Sequence, residues 1–158
     1  MKQHLLSLAM MFAAATAALA SVHASAKADS FYIVTSVNSD EELKKSSLDD
    51  IRRIFIGQRT HLESGNRIFP VHSDLSRPEV KAFLDKVTKM DSEAFSSYWR
   101  RRLFSGRGYP PKKVKSDTDV LDYVRERKNA IGIIGMPPSG QDLVTLPTQK
   151  KVSEWNQN

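Results

Sequence analysis

Ile68-Phe69-Pro70-Val71-His72-Ser73-Asp74-Leu75-Ser76-Arg77-Pro78-Glu79 runs from an apolar strand pattern, through small polar residues, into the start of a helix. Pro78 suits a first helical turn, where its missing N–H has no intrahelical role. Val80, Phe83, Leu84 and Val87 then follow at helical spacing, to about Lys89. A junction of this kind can hold an oxyanion. The first helical N–H groups lack intrahelical partners and face the positive end of the dipole, with Ser73, Ser76 and Arg77 as side-chain donors. The same residues admit a second reading. Ser76 followed three residues later by Glu79 is a capping box, in which the helix satisfies its own donors.

Outward from this junction, strands alternate with helices. Residues 31–37, FYIVTSV, are aromatic and β-branched and read as a buried strand, followed by a polar loop through Lys45. Ser47 then caps a helix whose apolar face is Leu48, Ile51, Ile54 and Phe55; Asp50 completes its box and Gly57 stops it. Residues 58–66 read as a loop into the strand 68–72. Beyond the central helix, Phe95, Trp99 and Leu103 repeat every four residues in a helix over Ser92–Phe104 ended by Gly106. Its Tyr98 and Trp99 read as packing in preference to a stacking platform. A loop over 106–115 leads to a helix opened by Ser116 or Asp117 and burying Val120, Leu121 and Val124, then to strands at Ala130–Ile134 and 143–146. The expected class is α/β, a central mixed sheet flanked by about four helices.

The N-terminus bears on compartment. Lys2, the apolar run from Leu5 to Ala20, and small residues around Ala24-Ser25-Ala26 have the form of a secretory signal peptide over residues 1–26, with a core too short and alanine-rich for a comfortable span. A periplasmic location follows, with no membrane insertion after cleavage. One domain over 27–147 and a polar tail over 148–158 are expected. The chain has no cysteine, so a packed core must replace disulfides. Its formal charge of +6 becomes about +5 once Lys2 is removed, a balance that favours anionic partners without naming one.

The order of several short motifs carries a resemblance. These are Ile54-Phe55-Ile56-Gly57, Val71-His72-Ser73-Asp74-Leu75-Ser76, Tyr98-Trp99, Phe104-Ser105-Gly106, and Ala130-Ile131-Gly132-Ile133 after Tyr123-Val124. Together they resemble the phosphate-binding proteins of bacterial phosphate ABC transporters, over about residues 31–147. The resemblance implies one lobe of the type 2 periplasmic-binding-protein fold. In the family, an I-F-x-G helix end precedes a strand leading to an R-S-D-x-S-G-T ligand loop. On that pattern Ser73, Asp74 and Ser76 fall in the ligand loop, His72 stands where the family has arginine, and Arg77-Pro78 replaces Gly-Thr. Arg77 then restores a cation as a phosphate clamp or is a solvated arginine. Asp74 would select monohydrogen phosphate, which has a proton to donate, over sulfate, which has none. Thr35 and Ser36, at the end of the first strand, either supply hydroxyls across the cleft or belong to an ordinary polar loop.

Other chemistry finds little support. His72, Ser73 and Asp74 include the residue types of a hydrolase triad, but neighbours on an extended strand point alternately to opposite faces. After the leader only His61 and His72 remain and there is no cysteine, so no metal site, catalytic residue or cofactor is expected and the chain reads as a non-enzyme. The basic run Arg100-Arg101-Arg102, Arg107, Lys112, Lys113 and Lys115, interleaved with Trp99, Phe104 and Tyr109, either contacts a polyanion or acidic protein or complements the helix C-terminus as a solvated face. Nucleic acid is not an expected partner. The first function implied is a solute-binding protein for phosphate or a related oxyanion, serving uptake or sensing, with an ABC permease or envelope sensor as partner. The alternative is a non-transport interaction module that keeps the fold without a functional pocket.

Overall fold

The computed structural model describes residues 30–146; the expected signal peptide over 1–26 and the expected polar tail over 148–158 lie outside the described residues. Eleven elements follow one another: β1 Tyr32–Ser36, α1 Glu41–Lys44, α2 Leu48–Phe55, β2 Phe69–His72, α3 Pro78–Phe83, a π-helical turn Leu84–Thr88, α4 Ser92–Phe104, β3 Lys112–Lys113, α5 Asp117–Glu126, β4 Ala130–Ile134 and β5 Leu143–Thr145. The five strands form one mixed sheet in the order β3-β2-β4-β1-β5. β2 is parallel to both β3 and β4, and β1 is antiparallel to both β4 and β5.

Strand alternation places a helical layer on each face. On β4, Ile131 and Ile133 join Ile33 of β1 in a core with Ile51, Ile54 and Phe55 of α2, Val80 and Phe83 of α3, and Phe95 and Trp99 of α4. Ala130 and Ile134 point the other way, with Val34 and Val71, onto Val120 and Val124 of α5. Gly132 shares that second face, and a Cβ there would lie 2.4 Å from Val120 Cγ1, so α5 seats directly on the strand backbone. Tyr98 and Trp99 are packing residues: the Tyr98 hydroxyl donates to the Ile56 carbonyl at 2.7 Å, and Trp99 is buried.

The caps at Ser47 and Ser116 form as complete boxes, with Asp50 and Asp119 returning to the cap N–H. The Ser76–Glu79 box does not. The helix begins one residue later, with Arg77 in the cap position and no side-chain cap bond. Glu79 instead turns its buried carboxylate to the Arg77 guanidinium. Two segments read as loop hold short elements: α1 lies in the polar stretch before Lys45, and β3 pairs with β2 inside the loop 106–115.

Candidate functional site

Parallel β2 and β4 end side by side, and the segment 73–77 leaves the carboxyl end of β2 there, the usual position for a ligand crevice in a sheet of this type. β3 flanks it: Val114 N–H donates to the His72 carbonyl at 3.0 Å, which brings Lys113 alongside. Four segments therefore converge: the loop itself, Lys113, Asp117 at the start of α5, and Gly135 just after β4.

His72 is buried, 6.1 Å from the Phe95 ring, and its Nδ1–H donates to the Ser73 carbonyl at 2.5 Å. Burial holds its pKa below the ordinary 6.5; the Ser73 carbonyl and Asp74 oppose that shift and Lys113 adds to it. The ring is thus a neutral, inward-facing group where the resembled family carries a cation. The Ser73 hydroxyl is fully buried with no hydrogen-bond partner among the described residues. Asp74 meets Lys113 Nζ at 2.6 Å and accepts from the Ser76 N–H at 2.9 Å. Those contacts, Lys113 first, hold its carboxyl well below the usual carboxylate range. Arg77 is ion-paired to Glu79, with Asp117 Oδ1 at 3.6 Å from its Nη2, and these partners raise its pKa further. Asp117 Oδ2 accepts from the Gly135 N–H at 2.8 Å.

The donors that an oxyanion would use here already face the chain's own carboxylates. Arg77 and Lys113 supply two positive charges; Asp74, Glu79 and Asp117 supply three negative ones, so the cluster carries a net charge of −1 with His72 neutral. Pro78 also lacks the N–H that a helix start would offer. The lone pairs of Asp74 that would accept a phosphate proton are directed to Lys113 and Ser76.

The structure does not bring Thr35 and Ser36 to this loop. β1 is antiparallel to β4, so Thr35 lies opposite Ile131 near the start of β4, whereas the loop leaves β2 beyond Val71, which lies opposite Gly132. The two hydroxyls stand at the other end of the sheet. Thr35 Oγ1 donates to the Ala130 carbonyl at 2.7 Å and lies 2.8 Å from Ser39 Oγ, and Ser36 Oγ accepts from the Asn38 N–H at 3.2 Å. Both are buried and fasten the turn after β1.

A Clostridium perfringens protein assigned as a phosphate ABC transporter substrate-binding protein, solved with bound phosphate, superposes with a TM-score of 0.57 at 16% identity, covering 75% of this chain and 44% of that one. An ABC-type phosphate transport receptor from Vibrio cholerae gives 0.56 at 14% identity, covering 75% and 45%. The fold is that of the phosphate receptors. This chain spans less than half the length of either receptor. No family model and no curated relative matches the chain. Among the described residues no helix is long and apolar enough to cross a membrane.

The fold gathers a second group of residues, in which Trp99, Tyr109 and Lys112 of the basic, aromatic run meet Arg67, Phe69 and Tyr123 from elsewhere in the chain. A cavity of about 440 Å³ opens away from the 73–77 loop, walled by Phe69, Trp99, Tyr109 and Tyr123 and flanked by Arg67 and Lys112. Those residues come from distant segments, so no spacing rule reveals them. The sequence signal covers only part of the group: residues 99–115 mix aromatic and basic residues with no Asp or Glu, whereas Arg67, Phe69 and Tyr123 lie beyond that run.

Proposed function

We propose that this chain is an envelope interaction module built on the phosphate-receptor fold, docking on an acidic partner through the end of α4 and the segment leading to β3. One observation carries the reading. Residues 100–115 hold seven Arg and Lys and no Asp or Glu, so the segment alone is +7 in a chain of net +6. Of those seven, only Lys113 meets a carboxylate among the described residues. In the same segment Phe104 is 88% exposed and Tyr109 78%. Exposed aromatics in an arginine-rich segment have the composition of an interface centre, and a one-sided field steers an acidic partner.

The oxyanion-binding reading keeps a specific observation of its own. The Ser73 hydroxyl is buried in the loop with no partner among the described residues, and the Clostridium perfringens protein of this fold was solved with bound phosphate. Against it stands the net negative cluster around Arg77, which a phosphate dianion would have to displace or neutralise.

Calorimetry on protein dialysed free of phosphate, with phosphate and sulfate at matched ionic strength, separates the two. Silence toward both anions is expected. Saturable phosphate binding that disappears in Asp74→Asn would overturn the docking reading in favour of solute binding. On the docking side, capture of an envelope protein should be salt-sensitive and lost in Arg100→Glu/Arg101→Glu/Arg107→Glu, and retained in Asp74→Asn.

A further inference from the structure

We propose that the cavity between Phe69, Trp99, Tyr109 and Tyr123 is a binding site for a small organic anion carried on a ring, such as an aromatic phosphate monoester or carboxylate. Its volume of about 440 Å³ is within the range of small-ligand pockets, and its walls have their usual character, aromatic and apolar with a few convergent polar groups.

The charge around it has one sign. No Asp or Glu lines the cavity, while Arg67 and Lys112 do, and neither meets a carboxylate among the described residues. A third cation stands outside the lining but on two of its rings: Arg127 stacks over both Phe69 and Tyr123, its Cζ 4.9 and 5.2 Å from their ring centres, and Arg67 lies 5.6 Å from the Phe69 centre. Phe69 thus has two guanidinium groups at its ring with no counter-charge. By contrast Arg59, also at the cavity, is neutralised by Glu42 and Asp50 and contributes packing.

Two donors near the cavity have no partner among the described residues. The indole N–H of Trp99, a lining residue, is buried without an acceptor, and so is Nε of Arg102 behind it, whose guanidinium lies 5.7 Å from the Trp99 ring centre. The backbone packs directly on that indole: Gly57 has φ +70°, and a Cβ there would lie 2.5 Å from the Trp99 ring edge, which locks the indole in place. The aromatic walls offer stacking to a flat body, and an anionic substituent supplies the charge that Arg67, Arg127 and Lys112 lack. The site is separate from the 73–77 loop and does not depend on the docking reading.

The test is calorimetric titration of the full chain with three probes at matched ionic strength: phenyl phosphate, inorganic phosphate and benzyl alcohol. Phenyl phosphate should bind saturably and at least about tenfold more tightly than either partial probe. Arg67→Gln and Tyr109→Ala, both at exposed positions, should each weaken it by about tenfold. Lys81→Gln, exposed and outside the cavity, should leave it unchanged. Thermal melts of each variant confirm folding. The proposal is overturned by absence of phenyl phosphate saturation, by inorganic phosphate binding as tightly, or by unchanged affinity in folded Arg67→Gln and Tyr109→Ala.

Discussion

His72 shows how one side chain couples the candidate loop to stability. Its pKa lies below 6.5 because burial penalises the imidazolium, so near neutral pH and below the unfolded chain binds the extra proton. Stability is therefore complete above the unfolded value and is lost as pH falls through about 6.5. Urea midpoints should drop between about pH 7 and pH 5, and His72→Gln should flatten that drop. Two glycines give a second residue-scale expectation. At Gly132 a methyl group would meet Val120 at 2.4 Å and Val71 and Val124 at 3.2 Å, so Gly132→Ala should cost about 1–3 kcal/mol by overpacking in urea unfolding. At Gly57 the left-handed backbone adds its own penalty to a collision with Trp99 at 2.5 Å, so Gly57→Ala should be at least as damaging.

Among the elements, the serines before α2, α3 and α5 provide an internal comparison. Ser47 and Ser116 each accept from the N3 backbone, at 3.1 and 3.2 Å, and Ser76 caps nothing. Ser47→Ala and Ser116→Ala should each lower the unfolding free energy by about 1 kcal/mol, and Ser76→Ala should leave it nearly unchanged. A serine followed three residues later by an acid, Asp50, Glu79 or Asp119, is the same class of signal in all three places. What it omits is competition: Glu79 has a nearer cation in Arg77, a contact that depends on tertiary placement. The long elements were legible because apolar periodicity and caps agreed, as in β1, β2, β4, α2, α4 and α5. A four-residue helix such as α1 is too short to show a period, and β3 is two exposed lysines held by pairing to β2. Nor does the sequence signal the π-helical turn Leu84–Thr88, which differs from α-helix in its hydrogen-bond spacing. For the site, Ser73 to Arg77 were legible as a local loop. The carboxylate of Asp117 and the N–H of Gly135 were not, since they reach that loop only through the parallel pairing of β2 with β4. The same ignorance of strand direction placed Thr35 and Ser36 at the wrong end of the sheet.

At the scale of the molecule, charge is segregated: subtracting the +7 of residues 100–115 from the net +6 leaves −1 for all the rest. Association with an acidic partner should therefore slow steeply as salt rises, a dependence measurable by stopped-flow and reduced when Arg100, Arg101 and Arg107 are reversed. Phe104→Ser should instead speed dissociation, because an 88% exposed ring contributes after contact and not at long range. The sheet order has a consequence in time as well as in space. β1 and β2 are never neighbours; each is joined to the other only through β4, which begins at Ala130. During synthesis from the N-terminus, β1 finds no mate until nearly the whole domain has emerged, and β2 can meet beforehand only the two-residue β3, too short to hold a sheet by itself. The nascent chain thus stays extended until late, the state in which a polypeptide can still be threaded across a membrane or engaged by a holding chaperone, and a ribosome stalled before residue 130 would display β1 with no mate and β2 paired at most with β3.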